Sequence, residues 1–344
     1  MGLSGGVDSA VSVALLKRAG ADVVGAFIKT WQPDWMPNAC DWKLERRDAM
    51  RVATHLDIPF VTIDLESEYK KSVVDYMISE YKLGRTPNPD VMCNKEIKFG
   101  AFLSRALELG ADMIATGHYS QSKMVNSKWQ MLMGEDEAKD QSYFLWTLNQ
   151  AQLSKIIFPV GHLLKSEVRE LARKFRLPVA EKRDSQGICF LGHIDMKEFL
   201  SHYIETKPGH VLNESGQVVG EHKGSIFYTI GQSWQRPLYV LDKNLELNTI
   251  IVGQRPVVTD NTRSGIICPL KRVNWIADRP KFENEYAAQV RYHGEKLLCH
   301  ITHDPHSVWG NECVVQFDRP VLVAPGQSVV MYDGDVCLGG GVVE

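Results

Sequence analysis

No stretch of this 344-residue chain approaches the roughly 18 consecutive apolar positions needed to cross a bilayer, and its first residues lack the basic, apolar, small-residue order of a secretory signal. The expectation is a cytosolic protein with no membrane partner. Paired cysteines are missing as well. Cys40, Cys93, Cys189, Cys268, Cys299, Cys313 and Cys337 are odd in number, scattered and nowhere spaced as Cys-x-x-Cys. That excludes a secreted disulfide framework and argues against a zinc or iron–sulfur cluster built from local pairs. Nor is there an excess of positive charge: 39 Lys and Arg against 42 Asp and Glu leave a net charge of −3. Any RNA contact therefore has to come from local basic patches.

What is there reads as an α/β fold class followed by β-rich segments. Val11, Ala14 and Leu15 mark one face of a first helix, and Val23 to Ile28 is a buried strand. A second helix carries Ala49, Val52, Ala53 and Leu56 and leads to the strand Phe60–Ile63. A third carries Phe102, Leu103, Ala106 and Leu107, stops at Gly110 and leads to Met113–Thr116. Alternation of this kind predicts a doubly wound parallel sheet. Lys165 to Phe175 predicts a helix ending before Leu177-Pro178. Beyond Gly209 short β-branched runs take over: Gln217–Val219, Ile226–Ile230, Thr249–Val252, Cys313–Phe317 and Ser328–Tyr332. The expected domains are 1–203, an α/β unit; 204–258, a small β-rich middle unit; and 259–344, a C-terminal β-barrel or sandwich.

Ser4-Gly5-Gly6-Val7-Asp8-Ser9 opens the first helix. Two glycines let successive N–H groups turn toward an anion, the serines add hydroxyls, and the helix N-terminus adds its dipole. No Gly-Lys-Ser/Thr follows, so this is not the loop that grips a nucleotide for γ-phosphoryl transfer. It resembles instead the pyrophosphate loop of enzymes that cleave ATP to AMP and pyrophosphate, and Asp8 is a candidate magnesium ligand. The plainer alternative is a turn joining a strand to a helix. Only Met1-Gly2-Leu3 precedes the loop, which predicts a first central strand that is missing or cut short.

Thr86-Pro87-Asn88-Pro89-Asp90-Val91-Met92-Cys93 combines a proline-stiffened loop, a carboxylate three residues before a thiol, and a helix start with Lys95 and Lys98 close behind. A helix N-terminus and nearby ammonium groups lower a thiol pKa, and Asp90 can shuttle a proton. A buried cysteine beside a turn fits the same residues. Cys189, in Asp184-Ser185-Gln186-Gly187-Ile188-Cys189-Phe190, is a second candidate thiol, since persulfide exchange uses an attacking and a leaving thiol; taken alone, its apolar neighbours favour the core. His118 reads equally as a functional group or a hydrogen-bonded framework residue. Lys70-Lys71, Lys82, Arg85, Lys165, Arg169, Arg173, Lys174, Arg176 and Lys182-Arg183 are candidate phosphate contacts or simply solvated faces. Tyr119 and Tyr143 are stacking or core residues.

The loop, the segment Thr86–Phe99, Ala115-Thr116-Gly117-His118-Tyr119, Lys139-Asp140-Gln141-Ser142-Tyr143-Phe144 and Asp184–Phe190 occur in an order that resembles the bacterial tRNA-specific 2-thiouridylases, over essentially the whole chain. The resemblance implies an ATP site at Gly2, Leu3, Ser4, Gly5, Gly6, Val7, Asp8, Ser9, Ile28 and Gly117, and a target-base contact at Asn88, Pro89 and Asp90. It implies Cys93 as nucleophile, Cys189 as persulfide carrier, a transient disulfide between them, and tRNA contacts at Lys139, Asp140, Gln141, Arg291 and Tyr292. It also implies ATP and Mg2+ as cofactors, tRNA acceptors for Lys, Glu and Gln with a wobble uridine, and a persulfide donor such as a sulfur-relay protein or cysteine desulfurase. Around Gln232-Ser233-Trp234-Gln235-Arg236 the chain departs from the family pattern, lacking the arginine after Gln232 and shortening the loop. Two rivals share the loop: an adenylating ligase that needs no thiol pair, and a tRNA-binding relative impaired by loss of the first strand.

Overall fold

The alternating patterns of the first part fold as a parallel sheet. The computed structural model describes residues 1–35, 42–184, 195–254, 267–302 and 312–344. Strands β1 (Gly25–Lys29) and β2 (Phe60–Asp64) pair in parallel, Gly25 opposite Phe60. β3 (Ile114–Ala115) is followed by the hairpin β4 (Ser120–Val125) and β5 (Lys128–Met133), which leaves this sheet, and then by β6 (Ile156–Ile157), parallel to β3. Met1 to Leu3 lie between β1 and β3. Leu3 N–H donates to the Ala26 carbonyl at 2.8 Å, Ala26 N–H to Met1 at 2.8 Å, and Gly2 N–H to Ala115 at 2.9 Å. Residues 1–3 thus occupy the central position of the sheet. The strands run β2-β1-(1–3)-β3-β6, and the order reverses at those three residues, where a doubly wound sheet opens its ligand crevice.

Helix α1 (Val7–Arg18) is central because its apolar side chains are small. Val7, Ala10, Val11, Val13 and Ala14 are buried against Phe27, against Ala49, Val52 and Ala53 of α2 (Trp42–His55), and against Val168 and Ala172 of the helix Lys165–Lys174. Asp8 in its first turn and Lys17 and Arg18 in its last complement the helix dipole.

The middle unit is a five-stranded sheet of β7 (Gly209–Leu212), β8 (Val218–His222), β9 (Ser233–Gln235), β10 (Leu238–Asn244) and β11 (Thr249–Gln254), ordered β8-β7-β11-β10-β9. The strand expected over Ile226–Ile230 does not form. Gly224 takes φ +146°, its N–H bonds the His222 ring, Asn248 accepts from Ser225 N–H, and the chain makes a 3-10 turn over Ser225–Phe227 instead. Local capping overrides the β propensity of that run.

β12 (Ile267–Trp275), β13 (Glu285–Gln289), β14 (Leu297–Thr302), β15 (Cys313–Phe317), β16 (Ser328–Asp333) and β17 (Val336–Val343) follow in the order β12-β15-β14-β13-β16-β17, and β12 pairs with β17 to close a six-stranded barrel. Of the two forms expected, barrel or sandwich, it is the barrel. The hairpin β4–β5 joins this sheet through Val336–Leu132 and Cys337–Met131. One hydrophobic core consequently runs from Cys93, Ile97 and Phe99 through Met131, Tyr143 and Trp146 to Val330, Tyr332 and Cys337. Among the described residues no helix is long and apolar enough to cross a membrane.

Ser328 ties that shared core together. Its hydroxyl accepts from the Trp146 indole N–H at 3.1 Å and its carbonyl from the Tyr143 hydroxyl at 2.9 Å. Ser328→Ala orphans a buried indole donor, so a loss of about 1–3 kcal/mol is expected. It is measured as a lower urea midpoint with an unchanged m-value.

Candidate active site

The loop Ser4–Ser9 leaves the sheet at the switch between residues 1–3 and β3. Gly5 has φ +79°, and a side chain there would drive into the Glu45 carbonyl. Ser9 Oγ braces the turn, accepting from Ser4 N–H at 3.2 Å and donating to Gly6 O at 3.1 Å. The N–H groups of Val7, Asp8 and Ser9, in the first turn of α1, have no acceptor within the helix and open toward the loop. Around Gly6 a Cβ would meet only Ser4 Oγ, at 3.4 Å. At Gly117 it would sit 2.8 Å from Ser9 N and 2.9 Å from Asp8 C, so the chain after β3 lies directly on the loop.

Cations that read in the sequence as a solvated helix face converge here. Lys165 Nζ bonds both Asp8 oxygens, at 2.6 and 2.9 Å, and Asp184 at 2.9 Å. Arg169 and Lys139 also hold Asp184, at 2.5 and 2.9 Å. Lys182 donates to Gly5 O at 3.1 Å and pairs with Glu45 and Asp48. Burial disfavours the Asp184 charge, yet Lys139 and Lys165 outweigh it and hold that carboxyl down at about 2. Tyr119 donates to Asp8 Oδ1 at 2.8 Å. Arg85, Arg173 and Lys70 are likewise ion-paired, to Glu80, Glu181 and Asp75.

The second half of the site is one long helix. Asn88 is its N-cap, accepting from Val91 N–H at 3.2 Å, and Pro89 stands at the first helical position, where a missing N–H costs nothing. The helix continues from Pro89–Met92 through a nine-residue π-helical stretch, Cys93–Ala101, into Phe102–Glu108. π-helical geometry is rare and concentrates at functional sites. Cys93 is fully buried one turn into this helix, with Asp90 a turn before it and partly exposed. Cys268, Cys299 and Cys313 sit in the barrel, where burial pushes each thiol up to about 12, and burial raises Cys337 further; such thiols are inert. Cys189 and Cys40 lie outside the described residues.

The loop before this helix is clamped from every side. Arg85 pairs with buried Glu80 through two hydrogen bonds of 2.6 and 2.7 Å. Thr86 N–H donates to Pro325 O at 2.7 Å, Gln327 Nε2 to Thr86 O at 2.7 Å, and Thr86 Oγ1 lies 3.1 Å from Thr229 Oγ1 of the middle unit. No sequence signal pointed to these partners, more than a hundred residues away. His118 links the two halves. Its Nε2 lies 3.2 Å from Lys98 Nζ of the π-helical stretch and its Nδ1 2.8 Å from Thr116 Oγ1. Burial and the Lys98 charge push its pKa well below the ordinary range, so the ring is neutral and its proton sits on Nδ1.

Of the residues expected to meet RNA, Asp140 is buried and accepts from Gly134 N–H, Ser142 N–H and Ser142 Oγ. Gln141 Oε1 accepts from Tyr119 N–H at 3.0 Å. Tyr292 packs on Phe144 with centroids 4.4 Å apart and, with Asp140 and Lys296, lines an open cavity of about 620 Å³; Arg291 is exposed beside it. Ile28 is buried on β1. Tyr119 and Tyr143 are core residues, both nearly inaccessible.

Two outcomes are expected. Gly117→Ala forces backbone against backbone and lowers the thermal midpoint, whereas Gly6→Ala, with open space before it, leaves the midpoint within a degree or two of the parent; equal midpoints would contradict the close approach. Asp184, whose folded pKa is depressed, contributes stability that is present above its ordinary value of 3.8 and lost as pH falls toward about 2. The midpoint difference between the parent and Asp184→Asn is expected to be constant above that window and to shrink within it, as followed by thermal melts at stepped pH.

Family models match three consecutive parts of the chain: a tRNA methyl transferase HUP domain over residues 1–193, a tRNA methyl transferase PRC-barrel domain over 197–254, and an aminomethyltransferase beta-barrel domain over 267–343. Among curated relatives, tRNA-specific 2-thiouridylase MnmA of Nitrosomonas europaea is 45% identical over 100% of this chain and 97% of its own length. The protein of that name from Halalkalibacterium halodurans is also 45% identical, over 100% of this chain and 94% of its own. At this identity over its whole length, and with all three family models in order, the chain belongs to the tRNA-specific 2-thiouridylase family.

Proposed function

We propose that this chain activates the wobble uridine of tRNA with ATP and replaces its C2 oxygen with sulfur. The observation that carries the reading is the contact chain joining the two halves of the site. Cys93 shares a helix with Lys98, Lys98 meets His118, and the adjoining Gly117 lies against Ser9 of the anion loop. These contacts support a reading in which an adenylating loop and a thiol serve one crevice.

In the first step the uridine O2 attacks the α-phosphorus, the bond to the bridging oxygen breaks, and pyrophosphate leaves. Gly2, Leu3, Ser4, Gly5, Gly6, Val7, Asp8 and Ser9 cradle the departing pyrophosphate through N–H groups and the helix dipole, with Ile28 and Gly117 shaping the nucleotide pocket. Asp8 is the carboxylate that would hold a magnesium ion, in exchange for the Lys165 and Tyr119 donors that occupy its oxygens here. Bound magnesium would neutralise charge on the nucleotide's phosphates. Asn88, Pro89 and Asp90 hold the target base, which must leave its stack to be reached.

In the second step sulfur attacks C2 and AMP leaves with the original oxygen. The sulfur is the terminal atom of a persulfide on Cys189, loaded by a cysteine desulfurase or relay protein. Attacking directly, the outer sulfur bonds C2 as the C2–O bond to AMP breaks, and the Cys93 thiolate then attacks Cys189 Sγ and breaks the S–S bond. Alternatively Cys93 attacks first and displaces sulfide, which attacks C2, with Asp90 moving the proton in either route. Both routes leave a Cys93–Cys189 disulfide, which an external thiol must reduce before the next turnover. Lys139, Gln141, Arg291 and Tyr292 face the RNA, with Asp140 fixing the turn beneath them. The units divide as 1–203 for thiolation, 204–258 and 259–344 for RNA support, and the acceptors are those for Lys, Glu and Gln.

The test incubates the chain with magnesium-ATP, a persulfide donor and unmodified tRNA carrying wobble uridine or wobble cytidine, and reads nucleosides by mass spectrometry. Thiouridine is expected from the uridine substrate alone, and none from Cys93→Ala. Full product from Cys93→Ala would overturn the thiol's role, and no product from the parent would overturn the reading.

A further inference from the structure

Beside the N-cap of the catalytic helix lies a narrow cleft between the α/β unit and the barrel, lined by Tyr76, Asn88, Lys95, Thr147 and Arg272, with an interior of about 50 Å³. That is room for a few waters or one tetrahedral oxyanion, at roughly 10–15 Å³ per water on this measure, and too little for a stacked base. Thr147 Oγ1 is buried there without a hydrogen-bond partner. A lone buried hydroxyl costs free energy that a ligand can recover.

Arg272 reaches the cleft by an unusual backbone. Between Lys271 and Asn274 the register of β12 against β17 shifts, and within that irregularity Arg272 adopts φ +54°. A left-handed conformation strains a residue with a Cβ, and bulges next to sites re-aim side chains. Here the kink sends the guanidinium over the ring of Tyr76, 5.8 Å from its centroid, on the helix Asp75–Lys82 that leads into the target-base loop. The other cations nearby are matched: Arg85 to Glu80, Lys95 to Glu96 and Lys271 to Glu344. Among the described residues no carboxylate pairs with Arg272, which is exposed.

We infer that this cleft binds a phosphodiester of the RNA backbone close to the target nucleotide, with Arg272 donating to its oxygens as a planar fork and Thr147 supplying the hydroxyl donor. The inference rests on the thiolation reading for the identity of the polyanion. A purely structural role for Arg272, tethering barrel to helix through Tyr76, makes the opposite forecast for stability, because glycine accepts φ +54° without strain.

The experiment measures tRNA affinity of the full chain across a salt series, together with thermal midpoints. For Arg272→Gly the expected result is a midpoint at or above the parent's, affinity about tenfold weaker at low salt, and a log–log salt slope smaller by about 1, the signature of one lost phosphate contact. Arg272→Lys is expected to restore the slope, and Thr147→Val to weaken binding without changing it. Inorganic phosphate and ATP serve as competitors. An Arg272→Gly chain with an unchanged slope, a lowered midpoint, or a raised KM for ATP in place of the RNA effect overturns the phosphate site. A parent chain that binds no tRNA contradicts the thiolation reading instead.

Discussion

Three backbone hydrogen bonds hold Met1, Gly2 and Leu3 between β1 and β3, and the position of the anion loop follows from them. Neighbouring elements share the task. Gly117 seats on the first turn of α1, Ser9 braces the turn from within, and Lys165 and Lys182 grip its carboxylate and carbonyl oxygens. These contacts suit an anion site, because the donors and cations are fixed before charge arrives and need no reorganisation when it does.

The same economy governs the thiol half. Backbone and side chains from the middle unit and the barrel pin Thr86, in the loop before the helix of the buried Cys93, between them. The barrel is therefore more than an appended module. Its sheet continues into the hairpin β4–β5, its core merges with that around Cys93, and Ser328 bonds both Trp146 and Tyr143. Loosening the barrel would be felt at the helix that carries Cys93 through these contacts.

Much of this was legible in the sequence. Apolar periodicity located the helices and strands of the α/β unit, since each buries one stripe or one run, and the glycine–serine loop announced an anion site through its backbone freedom. Local signals failed where distant partners decide. Ile226–Ile230 has the composition of a strand, yet Gly224, His222 and Asn248 turn it into a 3-10 turn. Lys165, Arg169 and Lys182 look like a solvated basic face, and only the fold aims them at Asp8, Asp184 and Gly5. The Asp140 carboxylate, charged and in a polar motif, gives no hint in sequence that it is buried under three donors.

If one crevice first adenylates the uridine and then delivers sulfur to it, disabling the thiol strands the first product. The direct measurement supplies Cys93→Ala with α-labelled ATP and wobble-uridine tRNA, without a persulfide donor, and follows label on the RNA. The account predicts tRNA-bound AMP that accumulates with release of one pyrophosphate per adduct and is absent with wobble-cytidine tRNA. AMP released at the same rate with or without tRNA, and no label retained on the RNA, would contradict it.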